Sequence, residues 1–389
     1  MRVCEQPLNE WIPGGLPDRL SGLLAASRHY PEDCGAPVFF DIETTGLSPL
    51  SASVYLIGAT APTEQGWVFR QWFAERPSEE ADIISAFRDS IPSDAVLIHY
   101  NGSTFDIPFL RDRCRALSLG EFSVAHSLDF YPLLRVLKPL AGLPSSRQRD
   151  LEPLASYRRE DPYDGGTLIR FYADFVGLQK FDTENAEARY RDLARHNRED
   201  ILGLVTLTRL LPCVDISPTS VEHAELAQGD PGSVTLRLRM DADWPAGLTL
   251  RKPLEKFLTP KNTPMVSSLK LSSETDGGLL LTIPVLTEPA RHYYANYKDY
   301  YYLPLENRVI HKSIASHMDK AYRRAAKRDE AFEWSRGTLL PQVGDLFSPV
   351  FVYRNKDLCR LFPVQELERH PELLATYAAE LLQLFGRKC

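Results

Sequence analysis

Phe39-Phe40-Asp41-Ile42-Glu43-Thr44-Thr45-Gly46-Leu47 is the stretch on which the reading of this chain turns. It ends an apolar run that starts at Ala36-Pro37-Val38, the composition of a buried strand. Successive strand side chains point to opposite faces, so Asp41 and Glu43, two apart, share one. Two carboxylates so close repel unless a cation sits between them. Oxygen-only ligands suit hard divalent ions such as Mg²⁺ or Mn²⁺. The alternative is a surface strand end with two solvated acids.

Working outward, Val54–Ala59 and Trp67–Phe73 are short β-branched and aromatic runs, punctuated by Gly46–Pro49 and Thr63–Gly66. Three strands with short connections make an antiparallel meander. The period then changes: Ile83, Ile84, Phe87 and Ile91 recur at helical spacing. A buried-strand run at Ala95–Ile98 precedes a helix over about 105–119, a short strand near Ser127–Asp129, and helices over Gly166–Val176 and Ala186–Leu211. The order β-β-β-α-β-α-β followed by helices predicts a mixed sheet with helices on its faces.

Two further pieces carry acids. Asn101-Gly102-Ser103-Thr104-Phe105-Asp106-Ile107-Pro108 follows the buried strand, with Asp106 where a loop enters a helix; simple capping of that helix is the plain alternative. Between Tyr190 and Leu204, the residues Leu193, His196, Asp200 and Leu204 fall on one helical stripe. An acid on an apolar stripe needs a partner, which a metal or an i,i+4 His–Asp ion pair would supply.

Together Asp41-x-Glu43, Asn101-x4-Asp106 and His196-x3-Asp200, in this order, resemble the DEDD 3′→5′ exonucleases of the ribonuclease H-like superfamily, and within it bacterial YprB-type proteins. The resemblance spans roughly residues 36–212. It implies an α/β ribonuclease H-like domain hydrolysing phosphodiester bonds of single-stranded DNA or RNA, with two Mg²⁺ or Mn²⁺ ions clamping the scissile phosphate. Asp41, Glu43, Asp106 and Asp200 would be the ligands, with Asp41 bridging both ions. His196 would orient or deprotonate the attacking water. Thr44, Thr45 and Gly46 would lie near the terminal nucleotide, with Asn101 bordering it. One departure matters: His196 stands four residues before Asp200, the spacing at which the family carries Tyr, whereas its catalytic His stands five before. One residue of slip turns a side chain about 100° around a helix. The rival reading is therefore a catalytically weak or inactive nucleic-acid-binding or scaffold protein that keeps the nuclease fold.

The rest of the chain constrains this frame. Its 389 residues suggest two or three domains at about 150 each, and a net charge of −7 excludes a generally basic coat though not a local basic channel. Residues 1–35, rich in Pro, Gly and charge, read as an arm. Prolines 212, 218 and 231 mark a boundary, and alternating strands at Val234–Met240 and Leu279–Val285, with helices expected over 313–328 and 363–385, give a separate α+β domain over 217–389. There, Tyr293–Tyr302 holds six of 17 tyrosines, and Lys312–Arg328 carries six Lys and Arg against Asp319 alone. Rings beside cations suit a single-stranded nucleic-acid platform; a protein-partner surface is the other reading. Six scattered cysteines without a C-x-x-C pair, and no apolar run of membrane-spanning length or signal-peptide core, lead us to expect a cytoplasmic protein.

Overall fold

The computed structural model describes residues 1–12, 15–217, 220–254, 257, 268–274, 277–353 and 360–386. The chain divides into two compact units, Met1–Asp215 and Ile216–Cys389. No described helix is long and apolar enough to cross a membrane.

The first unit is built on β1 (Arg2–Pro7), β2 (Pro37–Thr44), β3 (Val54–Thr63), β4 (Gly66–Phe73), β5 (Val96–His99) and β6 (His126–Asp129), paired in the order β1-β4-β3-β2-β5-β6. The expected meander β2-β3-β4 is antiparallel, while β5 and β6 extend the sheet in parallel from β2. Strand period 2 splits β2 between two cores. Phe40 and Ile42 pack with Ile83, Ile84 and Phe87 of α2 (Glu80–Ser90) and Ile107 and Leu110 of α3 (Asp106–Ala116). Asp41 turns to the opposite face, where Asn197 of a long helix reaches it. Short helices α4 (Phe130–Leu134), α5 (Leu137–Ala141) and α6 (Gln148–Leu151) lead to α7 (Gly165–Leu178) and the 25-residue α8 (Thr183–Leu207). On that second face Leu168, Tyr172, Phe175 and Leu193 cover Tyr55, Leu56 and Phe73 of the sheet.

Residues 1–35 are not an arm. Arg2–Pro7 forms an edge strand in register with β4, and α1 (Leu16–Ala26) buries Leu16, Leu20 and Leu24 completely. The Pro-Gly content around Pro13–Pro17 hid that i,i+4,i+8 leucine spacing. Arg2 anchors the strand: its Nε donates to Glu75 at 2.5 Å, it pairs with Glu187, and it stacks on Tyr190.

In the second unit, after α9 (Leu211–Val214), a five-stranded antiparallel sheet runs β7-β8-β11-β10-β9. Its strands are β7 (Val221–Ala227), β8 (Ser233–Met240), β9 (Thr249–Pro253), β10 (Ser268–Ser273) and β11 (Leu279–Pro284). The hairpin turn expected at Thr275–Gly278 joins β10 to β11, though Thr275 and Asp276 lie outside the described residues. Smaller pairings follow: β12 (Arg291–Tyr293) with β16 (Phe332–Trp334), β13 (Tyr300–Leu303) with β14 (Arg308–His311) and β15 (Arg324–Ala325), and β17 (Leu339–Gln342) with β18 (Arg360–Pro363). The helix expected over 313–328 is replaced by two single turns and β15. That stretch lacks a continuous apolar stripe, and its arginines are held instead over the tyrosines of β13: Arg323 lies 4.5 Å from the Tyr301 ring and Arg324 4.4 Å from Tyr302. The expected C-terminal helix is real but split by Pro371 into α10 (Gln365–Arg369) and α11 (Leu374–Gly386).

Candidate active site

Asp41 lies on β2 directly across from Gly58 on β3, which lies across from Gln71 on β4. This row faces α8. Because Gly58 has no side chain, Asn197 of α8 can descend onto the sheet; a Cβ at Gly58 would lie 2.1 Å from its Oδ1. Asn197, fully buried, donates to Asp41 Oδ2 at 3.1 Å and accepts from Gln71 Nε2 at 2.9 Å. The carboxylate is thereby fixed by a relay anchored across the sheet.

Asp106 arrives from β5. The loop between β5 and α3 is shaped by His99, whose Nδ1 accepts from the Gly102 amide and whose Nε2 faces Ser127 Oγ at 2.7 Å. Burial lowers this imidazole to about 4, so it stays neutral. Asp129 accepts from the amides of Asn101, Ser103 and Tyr131, which makes it a loop organiser. Asp106 does not cap α3: its Oδ1 accepts from Ile42 N at 3.3 Å, turning the acid toward β2. Asp164, by contrast, caps α7 through Thr167 N.

On α8 the predicted stripe faces inward. His196 Nε2 lies 3.1 Å from Asp200 Oδ2 and 3.7 Å from Glu43 Oε1, so Glu43, His196 and Asp200 present ligand atoms within 4.8 Å of one another. Two groups absent from the sequence reading complete the cluster. Asp161, buried, bonds His196 Nδ1. Arg159 places Nη1 2.6 Å from Asp200 Oδ1 and grips buried Glu152 with Nε at 2.9 Å and Nη2 at 2.5 Å. The segment bearing them is not helical, and its Glu160 and Asp161 amides donate to Glu199 of α8. Gly203, one turn beyond Glu199, leaves the space that Glu152 fills; a Cβ there would sit 2.0 Å from Glu152 Oε1.

Electrostatics follow from this packing. Burial, then the charges of Asp200, Asp106 and its neighbour Glu43, push Asp41 well above the carboxylate range. Burial raises Glu43 to about 8 against the opposing pull of His196, and Asp106 to about 7. Burial would raise Asp200 too, but Arg159 and His196 hold it below the usual range. Burial would lower His196, yet Asp200, Glu43 and Asp161 lift it to about 9. With both ring nitrogens directed at carboxylates, the imidazole is a cation and has no lone pair for a water proton. This position lets His196 hold Asp200 and Glu43 by charge.

Thr44 Oγ1 donates to Gly46 O at 2.8 Å and Thr45 Oγ1 accepts from Ser53 N, so these residues lock the turn after β2. Asn101 stands exposed at φ 64°. It borders a cleft of about 520 Å³ with Tyr100, Tyr131, Lys138, Arg147 and Gln148, the last donating to the Asp200 carbonyl at 2.8 Å.

Residues 38–211 match the RNase_H_2 family, of the RNase_H superfamily. The mixed sheet with flanking helices is thus a ribonuclease H-like fold, followed by a separate sheet-rich unit. No curated protein matches the chain. Among solved structures, the chain is similar to the family B DNA polymerase of Pyrobaculum calidifontis at 14% identity and TM-score 0.38, over 65% of this chain and 40% of that one. Exonuclease I of E. coli in complex with a dT13 oligonucleotide gives 14% and 0.26 over 52% and 55%; that of Methylocaldum szegediense gives 13% and 0.27 over 52% and 54%. The chain therefore spans about half or less of the length of these structures.

The donor set fits hard divalent cations. Asp41, Glu43 and Asp106 are carboxyls turned inward with raised pKa values, and Asp41 and Asp106 have no cationic partner among the described residues. Divalent ions would supply the positive charge that this inward-facing cluster lacks. Asp200 differs, because guanidinium and imidazolium already occupy its two oxygens.

Proposed function

We propose that the ribonuclease H-like unit is a divalent-metal-dependent 3′→5′ exonuclease acting on single-stranded DNA or RNA. The observation that carries this reading is the convergence of Asp41 and Glu43 from β2, Asp106 from the start of α3 and Asp200 from α8 into one cluster of interacting acids. Bound Mg²⁺ or Mn²⁺ would polarise the scissile phosphate and stabilise the developing charge. Asp41, Glu43 and Asp106 would hold the ions, with Asp41 kept in aim by Asn197 and Gln71. His196 orients Asp200 and Glu43 by charge. Lys138 and Arg147, beside the Tyr100–Tyr131 pair, would receive the strand next to Asn101, phosphates on the cations and bases on the rings.

A second reading draws on one specific observation: Asp200 is taken up by Arg159. In that reading the unit binds nucleic acid with little hydrolysis. The deciding experiment incubates 5′-labelled single-stranded DNA and RNA with wild type and Asp41→Asn, in Mn²⁺ and in chelator. The exonuclease gives a metal-dependent ladder shortening from the 3′ end, lost in the variant. Equal cleavage by wild type and variant overturns the assignment, and intact substrate with retained binding selects the second reading.

A further inference from the structure

The second unit contains a cavity of about 790 Å³, within the range of organic ligand sites. Three arginines line it, Arg291, Arg328 and Arg360, with His292, Tyr293 and Tyr294. Their chemistry is uneven. Arg360 is neutralised by Asp345. Arg291 lies flat over Phe332 at 4.8 Å and Trp334 at 5.0 Å, and its Nη1 donates to the Tyr293 hydroxyl at 3.1 Å. Its guanidinium is held rigidly by aromatic faces and has no carboxylate partner among the described residues. Arg328, exposed at the rim, likewise has none.

A guanidinium so fixed spends no entropy on finding an anion and presents planar donors that match phosphate oxygens. Among the described residues only one acid, Asp329, shares the lining. The aromatic side is equally ready. Tyr293 and Tyr294 line the cavity, and Tyr294 is steadied by stacking on Tyr300 at 4.3 Å and 6° with His292 edge-on at 5.7 Å, so the aromatic rings on which a base would stack are held in place. His292 Nδ1 faces the Val350 carbonyl, which can only accept, so Nδ1 carries the proton and Nε2 is left to meet a ligand.

We propose that this cavity is a second binding site, which takes a phosphate and an adjoining base of single-stranded nucleic acid. A fixed cation and aromatic side chains line one pocket, the two features such a ligand needs together. The site is built wholly within the second unit and does not depend on the metal-dependent reading of the first.

The test uses full-length Asp41→Asn protein in chelator, which removes hydrolysis and metal-mediated binding, so that failure of the exonuclease reading leaves this one intact. Fluorescence anisotropy with a labelled single-stranded dodecamer compares that protein with Arg328→Ala and with Arg291→Ala/Arg328→Ala. Arg328 is exposed and has no ion pair, hydrogen bond or ring contact among the described residues, so its variant reports binding with little effect on folding. We expect affinity to fall by about tenfold or more in the double variant, and the salt dependence to become shallower by about one unit for each phosphate contact removed. Competition separates the sources of the chemistry: a nucleoside monophosphate displacing the probe where equimolar inorganic phosphate does not supports the base-plus-phosphate site. Unchanged affinity and salt slope in both variants overturn the proposal, as does equal displacement by phosphate alone.

Discussion

Arg159→Met removes the guanidinium that pairs with Asp200, and the structure sets opposite signs for its two effects. Arg159 is 8% exposed and lies between two carboxylates, Asp200 at 2.6 Å and Glu152, itself 2% exposed. Without it Glu152 keeps, among the described residues, only the 3.0 Å hydrogen bond from Gln148. Removing one partner of a buried ion pair costs roughly 3–5 kcal/mol, because the other charge is left in a low dielectric. At roughly 2–4 °C per kcal/mol for a unit of this size, the metal-free melting temperature should drop by about 6–20 °C. Metal affinity moves the other way. A unit charge and a divalent ion about 5 Å apart repel by several kcal/mol at an effective dielectric near 20, and solvent screening leaves at least about a tenfold gain in affinity when the guanidinium goes. Calorimetric titration of chelator-stripped protein with Mn²⁺, beside a thermal melt, reads both. Arg159→Lys keeps the charge and loses the fork, so it should melt lower without gaining Mn²⁺ affinity. Should Arg159→Met not fold, Glu152→Gln/Arg159→Met removes both buried charges and preserves the titration. Unchanged Mn²⁺ affinity in a folded Arg159→Met would refute the reasoning that the guanidinium beside Asp200 opposes cation binding at the acidic cluster.

Three further outcomes follow from the same geometry. Gly58→Ala forces Asn197 off the sheet, since its Cβ would lie 2.1 Å from Oδ1; we expect a loss of about 1–3 kcal/mol and weaker Mn²⁺ binding, and an Asn197→Ala variant that binds Mn²⁺ like wild type would contradict the relay. Gly203→Ala should destabilise by about 1–3 kcal/mol despite alanine's better helix propensity, because it evicts Glu152 from under Arg159; a melt at or above wild type counts against this. Stability of the metal-free protein should fall as pH rises between about 5 and 9. Glu43 (about 8), Asp106 (about 7) and Asp41 hold protons in the folded chain that the unfolded chain has already released, and His196, raised to about 9, likewise keeps its own above the unfolded value near 6.5. Melting temperatures in chelator that climb across this window would show that these groups are not buried as described.

How much of this site could be read from the letters depended on whether a residue's partner lay within its own periodic element. Asp41 and Glu43 were legible because strand period 2 fixes their shared face; Asp200 and His196 because helix period 3.6 puts them on a stripe with Leu193 and Leu204. Asp106 was legible in position but not in direction: a helix-start acid caps by default, and only the tertiary approach of β2 turns it to Ile42. Arg159 and Asp161 were invisible, since they lie in an irregular segment that no periodicity places. Yet the two glycines that admit the site's supports did leave a trace. Gly58 interrupts the buried strand Val54–Ala59, and Gly203 interrupts the apolar end of α8, each at a cost in an element that would rather have a side chain. Each absence is filled by a polar group brought in from elsewhere, Asn197 at one and Glu152 at the other. The same account explains the spacing that looked anomalous. A histidine four residues before Asp200 stacks one turn above it and so becomes its ion-pair partner, with Asp161 completing the brace on the far nitrogen. A histidine held between two carboxylates in this way is suited to holding Asp200 ionised, and the four-residue spacing is what that task requires.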